Sequence, residues 1–212
     1  MFRKEINEYG NQMNKFIVYE GLDASGKTTL SSLYAKENNS VVHSAIVSEA
    51  QDLRKIIDSK ESKESALLFF LLNNFLKSEE ASAVLESEHF ILDRYIFSTL
   101  AYQTIMLGED RVKAMFDAVN IGNEILLPDL IVFVKADAET INRRIDGRGG
   151  ELQWYGDELT QKHCVYTAYK KIFTWFDIPI VEIDTSDKLG LSVQENYQFM
   201  KEQIQRAFVR KR

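Results

Sequence analysis

The chain has 212 residues, 45% of them apolar and 27% charged, a balance that suits one soluble domain with a sizeable core. Lys and Arg number 26 against 32 Asp and Glu, a formal charge of −6. That acidity argues against a nucleic-acid polymer as partner, because such affinity rests on cations that neutralise phosphates. The single cysteine, Cys164, excludes an internal disulfide and suits a reducing cytoplasm, and the scattered His43, His89 and His163 lack the spacing of a zinc site.

Residues 1–14 are polar, lack the apolar centre of a signal peptide, and read as an extension outside a domain spanning residues 15–212. The longest apolar run, Ala66 to Leu72, is far short of the about 20 residues needed to cross a bilayer. Phe16–Glu20, with four apolar residues of β-favouring type, is expected to be a buried strand, and Lys27–Glu37 a helix with Leu30, Leu33 and Tyr34 at helical spacing. Val41–Ile46 is a short strand candidate, followed by a helix carrying Leu53, Ile56 and Ile57. Ser62–Glu86 reads as one long helix, apolar almost all round at its centre and so expected to be buried against several neighbours. A strand at His89–Leu92 ends in Asp93-Arg94, and helices are expected over Ile96–Leu107 and Asp110–Glu124. Pro128 introduces the strand Leu130–Val134, Ala138–Ile145 is helical, and Glu158–Phe176 is a helix with Val165, Tyr169, Ile172, Phe173 and Phe176 on its apolar side. The last strand is Ile180–Ile183 and the last helix Val193–Val209. Strands alternating with helices imply an α/β sandwich around a mainly parallel sheet, with ligands at the carboxyl ends of the strands.

The segment between the first strand and helix, Gly21-Leu22-Asp23-Ala24-Ser25-Gly26-Lys27-Thr28, fits G-x-x-x-x-G-K-[ST] and continues into Thr29. Backbone amides of Gly21 through Thr29 and the helix N-terminus would cradle a nucleoside triphosphate, with Lys27 reaching the outer phosphates and the Thr28 hydroxyl binding Mg²⁺. Glu20, Asp93 and Asp184 each close or follow a strand and so should lie on the same rim. Asp93 is the natural magnesium carboxylate beside Thr28, directly or through water. Arg94 carries a guanidinium fork that matches a phosphate. On the long helix the amides of Asn73 and Asn74 need partners if buried, and a nucleobase edge would be one. His163 and Cys164 are neighbours on a helix, about 100° apart, and cannot form a nucleophilic pair.

Asp93-Arg94-Tyr95-x-x-Ser98-x-x-Ala101-Tyr102-Gln103 resembles the DR[YH]-x-x-S-x-x-A-Y-Q segment of thymidylate kinases. Glu20-Gly21-Leu22-Asp23-x-x-Gly26-Lys27-Thr28-Thr29 is similar to the same family's P-loop, and Pro128-Asp129-Leu130 and Ile183-Asp184 fit further segments, so the resemblance runs from about Lys15 to the C-terminus. It implies a P-loop kinase α/β/α sandwich, a mainly parallel five-stranded sheet and a short lid at about residues 146–157. It also implies that Arg94 holds the acceptor phosphate, that Asp23 reads the acceptor's 3′-hydroxyl, and that Ser98, Tyr102 and Gln103 line the acceptor, Tyr102 disfavouring a 2′-hydroxyl. Phe70, or Phe69 by a shift of register, would stack on the base, Glu20 and Asp93 would organise Mg²⁺, and Arg148, seconded by Arg144, would supply lid charge, leaving Arg143 on the surface. Two departures stand out: Leu71-Leu72-Asn73-Asn74 replaces the family's basic, base-reading segment, and Ala24-Ser25 leaves the P-loop without an arginine.

The expected activity is therefore transfer of the γ-phosphoryl group of ATP·Mg²⁺ to a deoxynucleoside 5′-monophosphate, dTMP first, by a cytoplasmic homodimer. Rival readings are a deoxynucleoside kinase using Glu20 as base, a monophosphate kinase for another base, and a non-catalytic nucleotide sensor suggested by Gln153-Trp154 in the lid.

Overall fold

The computed structural model of the chain describes residues 14–59, 62–147 and 159–210. Most of the expected extension, all but the first two residues of the expected lid, and Arg148 with it, lie outside the described residues.

Among the described residues, β1 (Phe16–Glu20), β2 (Val42–Ser44), β3 (Phe90–Asp93), β4 (Leu130–Lys135) and β5 (Ile180–Asp184) form one parallel sheet in the order β2-β3-β1-β4-β5. The strand β1 is central, pairing Tyr19 with Asp93 on one side and Glu20 with Phe133 on the other. Such an order leaves a crevice above the carboxyl ends of the central strands. Burial of β1, β3 and β4 on both faces explains why they read as nearly continuous apolar runs.

Helices cover both faces, and successive strand residues alternate between them. Phe16, Val18, Phe90, Leu92 and Phe133 pack in the layer formed by α3 (Lys63–Val84), α4 (Ile96–Leu107) and α8 (Leu159–Phe173). Ile17, Tyr19, Ile91 and Val132 pack in the opposite layer, with α1 (Lys27–Glu37) and α9 (Val193–Arg210). By that parity Glu20 continues the Phe16–Val18 row toward α4 and α8, whereas Asp93 continues from Ile91 toward α1.

The structure differs from the sequence expectations at four points. The second strand is reduced to Val42–Ser44; a 3₁₀ turn at Ser48–Ala50 leads into α2 (Gln51–Asp58). The helix expected over 110–124 is two, α5 (Glu109–Ala118) and α6 (Ile121–Glu124), broken where Asn120 takes a left-handed conformation, φ 50°, that asparagine tolerates. The helix α8 ends at Phe173 rather than Phe176. And α3 is not buried all round: Leu68, Leu72 and Leu76, one turn apart, are 53%, 55% and 37% exposed. The remaining helix, α7 (Ala138–Asp146), is capped by Asp137, whose carboxylate accepts from Thr140 N at 2.9 Å.

Candidate active site

The turn from β1 into α1 is possible only with glycine at its first position. Gly21 has φ +139°, and a Cβ there would lie 2.0 Å from the carbonyl oxygen of Val134 on β4. Gly26, φ +99°, ends the loop and opens α1. Lys27 is buried, and its Nζ donates to Leu22 O at 2.7 Å, so the ammonium is folded over its own loop. Burial, seconded by the charge of Arg94, lowers its pKa to about 8. Thr28 Oγ1 donates to Asp93 Oδ2 at 2.9 Å across the α1 face of the sheet. The other oxygen, Asp93 Oδ1, is buried without a hydrogen-bond partner among the described residues.

Above this loop opens a cavity of about 590 Å³, a size suited to a small-molecule ligand. Its wall runs from Lys27 and Thr28 past Arg94 to Phe70, Asn74 and Gln103, so its two ends differ in chemistry. One end gathers cations and amides. The other offers the Phe70 ring, with the Arg54 guanidinium 4.6 Å from its centroid, beside neutral hydrogen-bonding groups.

Arg94 joins them. It holds φ +75°, a left-handed conformation that costs a non-glycine residue about 1–3 kcal/mol and is kept where surrounding contacts fix it. Its N–H donates to Tyr19 O at 3.0 Å. The guanidinium pairs with Asp23 through Nη2 at 2.6 Å, while Nη1 donates to Ser98 Oγ at 3.2 Å, Tyr169 Oη at 3.3 Å and Tyr102 Oη at 3.4 Å. Burial pushes the Asp23 carboxyl up, but Arg94 and Lys27 together outweigh it and leave Asp23 below the usual carboxylate range.

Glu20 departs from the expectation that it organises the metal with Asp93. It is fully buried, and its Oε1 accepts from Tyr95 N at 2.8 Å and Ser98 N at 3.3 Å, the opening amides of α4. Its Oε2 accepts from Ser98 Oγ and from Tyr169 Oη, the latter at 3.0 Å. Both oxygens thus serve α4 and α8, as the strand parity requires, and Thr28 is bonded to Asp93 alone of the two carboxylates. Burial raises the Glu20 pKa against the combined pull of these donors and Arg94. Asp184 likewise caps its own turn, accepting from Ser186 N at 3.0 Å and Ser186 Oγ at 2.6 Å.

The two asparagines of α3 have different surroundings. Asn73 is committed to protein backbone at both ends of its amide: Nδ2 donates to Ala45 O at 2.8 Å and Oδ1 accepts from Val47 N at 3.0 Å. It therefore pins the loop after β2, whose Ser44, Ala45 and Ile46 line the cavity together with Asn73 itself. Asn74 Nδ2 donates to Phe70 O at 2.7 Å and Thr99 Oγ1 at 3.0 Å, so the polar atom left to it is an acceptor. Gln103 lines the cavity nearly buried, its Oε1 without a hydrogen-bond partner among the described residues.

Arg144 is a brace between loops. It donates to Ala24 O at 3.2 Å, to Thr185 Oγ1 and O at 3.0 and 2.6 Å, and to Asp187 Oδ1 at 2.8 Å, while Thr185 Oγ1 donates to Ser25 O at 2.7 Å. Arg143 pairs with Asp187 at 2.8 Å on the surface, as expected. Sequence reasoning missed Thr185 and Tyr169 at this site; Tyr169 was assigned to the core by its helical spacing, a pattern blind to what its hydroxyl does.

The thymidylate kinase family model matches residues 19–196, which contain every element just described around the cavity. The chain belongs to the thymidylate kinase family. A probable thymidylate kinase of Methanococcus vannielii is 30% identical over 143 residues, 66% of this chain and 70% of that relative. The thymidylate kinase of Leptospira interrogans serogroup Icterohaemorrhagiae serovar copenhageni is 30% identical over 177 residues, 76% and 83% of the two chains. Among solved structures, thymidylate kinase from Candida albicans superposes with a TM-score of 0.70 at 22% identity, covering 91% of this chain and 92% of that one. Deoxyadenosine kinase from M. mycoides, with bound dATP, gives 0.68 at 17% identity, covering 90% and 99%. These structures share the fold. Among the described residues no helix is long and apolar enough to cross a membrane.

Proposed function

We propose that this thymidylate kinase family member transfers the γ-phosphoryl group of ATP to dTMP, forming dTDP and ADP. The observation that carries the reading is that Lys27 of the P-loop and Arg94 line the same cavity, two cationic groups facing one space. A nucleoside kinase would need only the first. In this reading residues Gly21 through Thr29 hold the ATP phosphates, Lys27 leaves Leu22 O for the β/γ oxygens, and Arg94 takes the acceptor phosphate. Asp23 reads the 3′-hydroxyl, Tyr102 stands against a 2′-hydroxyl, Ser98 and Gln103 line the acceptor, and Phe70 stacks on the base near Asn74. The acceptor is already an anion, so no general base is required, and Glu20 is free to be structural.

Magnesium fits the residues present. Asp93 Oδ1 is buried without a hydrogen-bond partner among the described residues, on the carboxylate whose other oxygen accepts from the Thr28 hydroxyl. Bound there with the phosphates, Mg²⁺ supplies charge neutralisation at the transferring group. Arg148 is proposed as the lid arginine, and Arg144 as the brace that keeps the P-loop in place. The exposed Leu68, Leu72 and Leu76 row on α3 supports assembly as a homodimer through that helix. A lone cysteine suits a cytoplasmic setting.

ADP release measured with dTMP, thymidine and a panel of other deoxynucleoside monophosphates tests the reading. Turnover is expected with dTMP; turnover with thymidine alone would assign a nucleoside kinase.

A further inference from the structure

We propose that Tyr169 of α8 is a positioning residue for the acceptor phosphate: its hydroxyl links the buried Glu20 carboxylate to Arg94 and fixes where the guanidinium points. The inference rests on the proposed function, which places the acceptor phosphate at Arg94.

Glu20 and Arg94 are not directly hydrogen-bonded. Two hydroxyls stand between them. Tyr169 Oη donates to Glu20 Oε2 at 3.0 Å and accepts from Arg94 Nη1 at 3.3 Å; Ser98 Oγ donates to the same carboxylate oxygen and accepts from Arg94 Nη1 at 3.2 Å. The two hydroxyls are themselves 2.7 Å apart, a contact in which either oxygen can donate, so their two protons are shared among this contact and the two to Glu20. A hydroxyl has one proton to give and lone pairs to receive, so a carboxylate on one side leaves an acceptor facing the arginine on the other. Burial, then the Glu20 charge, pushes the Tyr169 hydroxyl well above its ordinary pKa, which keeps that proton in place. The carboxylate's charge thus reaches Arg94 through oriented dipoles, with Glu20 itself out of reach of substrate.

The arrangement matters because the other partner of Arg94 is poorly held. Asp23, on the opposite edge of the guanidinium, is 48% exposed and sits on the P-loop, where the proposed sugar contact would draw on it. Tyr169 is fully buried, with its ring packed on Phe133 at 5.1 Å and Phe173 at 5.7 Å. When phosphate replaces Asp23 on Nη2, the hydroxyls on Nη1 are what remain to orient a long, rotamer-rich side chain. No element of the P-loop supplies this hold; it comes from Tyr169 on α8 and from Ser98 and Tyr102 on α4.

Tyr169→Phe keeps the ring packing and removes only the link. Titration calorimetry with dTMP and with thymidine on wild type and variant distinguishes positioning from general damage. The expected result is dTMP affinity lowered about tenfold, the scale of one hydrogen bond to a charged group, with thymidine affinity within twofold of wild type. In an Arg94→Ala background the same change should have no further effect on dTMP. Equal weakening of nucleoside and nucleotide, or no change in either, overturns the proposal. If Tyr169→Phe folds poorly, Ser98→Ala removes the parallel link and must show the same split. Binding of dTMP by the wild type bears on the proposed function, and the split between the two ligands bears on Tyr169.

Discussion

Replacing Glu20 with glutamine, beside Asp93→Asn, separates two carboxylates that lie one residue out of register on adjacent strands. Glu20 accepts four hydrogen bonds, two from backbone N–H groups and two from hydroxyls. Hydrogen bonds to a charged group contribute about 1.5–3 kcal/mol against about 0.5–1.5 for neutral partners, so loss of the charge costs about 1 kcal/mol per bond. Part of that about 4 kcal/mol is offset, because a neutral amide is less costly to bury, and burial is the largest influence on the Glu20 carboxyl. The glutamine NH₂ would also oppose Ser98 and Tyr169, hydroxyls that already accept from Arg94. A net loss of about 2 kcal/mol follows, which for a domain of this size lowers the melting temperature by about 4–8 °C. The half-saturating Mg²⁺ concentration should stay within twofold of wild type. For Asp93→Asn the pattern reverses, with melting little changed and the Mg²⁺ requirement raised at least tenfold. Thermal unfolding by circular dichroism and Mg²⁺ titration of ADP release read the two quantities separately. A Glu20→Gln enzyme of unchanged stability that needs far more Mg²⁺ would refute the parity argument.

Further outcomes follow from single contacts. Asn73→Ala leaves Ala45 O and Val47 N without their side-chain partner, so about 2–3 kcal/mol of stability should be lost in urea unfolding, with a raised KM for dTMP because the loop they anchor lines the cavity. A loss under 0.5 kcal/mol would mean that the loop is held elsewhere. With Lys27 near pKa 8 in the free enzyme and a triphosphate restoring its charge, ATP binding should take up a proton and weaken as pH rises through 8. Calorimetry at pH 9 should therefore show an enthalpy that varies with the buffer's ionisation heat; a buffer-independent enthalpy there contradicts the assignment. His89 accepts from Lys15 N at 2.8 Å, and burial, then the Lys15 charge, hold its pKa below 6.5. The unfolded chain binds that proton more readily, so the contribution is present above about pH 6.5 and is lost as pH falls below it. The urea midpoint should drop between pH 7.5 and 5.5 in wild type and drop less in His89→Gln, whose amide oxygen accepts without titrating.

Much of this was legible in the residues. The run FIVYE and the glycines after it specify a buried strand and a glycine turn into a helix at the same boundaries that the structure has, because backbone geometry there leaves little choice. Asp93 beside Thr28 was equally readable from a carboxylate at a strand end. The error at Glu20 had a signal that went unused: Phe16, Val18 and Glu20 share one face, and that face belongs to α4. Asn73 could not have been placed, since its partners, 28 and 26 residues away, are backbone atoms of a loop with no sequence signature. The same holds for Tyr169, whose ring obeys the helical pattern while its hydroxyl makes contacts 75 and 149 residues distant. Patterns report which side is buried; they do not report which polar atom meets which across the fold.

Isothermal titration of Arg94→Ala with dTMP and, separately, with ATP addresses the two-phosphate cavity most directly. Removing a guanidinium from a phosphate contact costs about 2–5 kcal/mol, so dTMP affinity should fall about 30-fold or more while ATP affinity stays within threefold. Unchanged dTMP binding, or an equal loss for both nucleotides, would contradict the assignment of Arg94 to the acceptor phosphate.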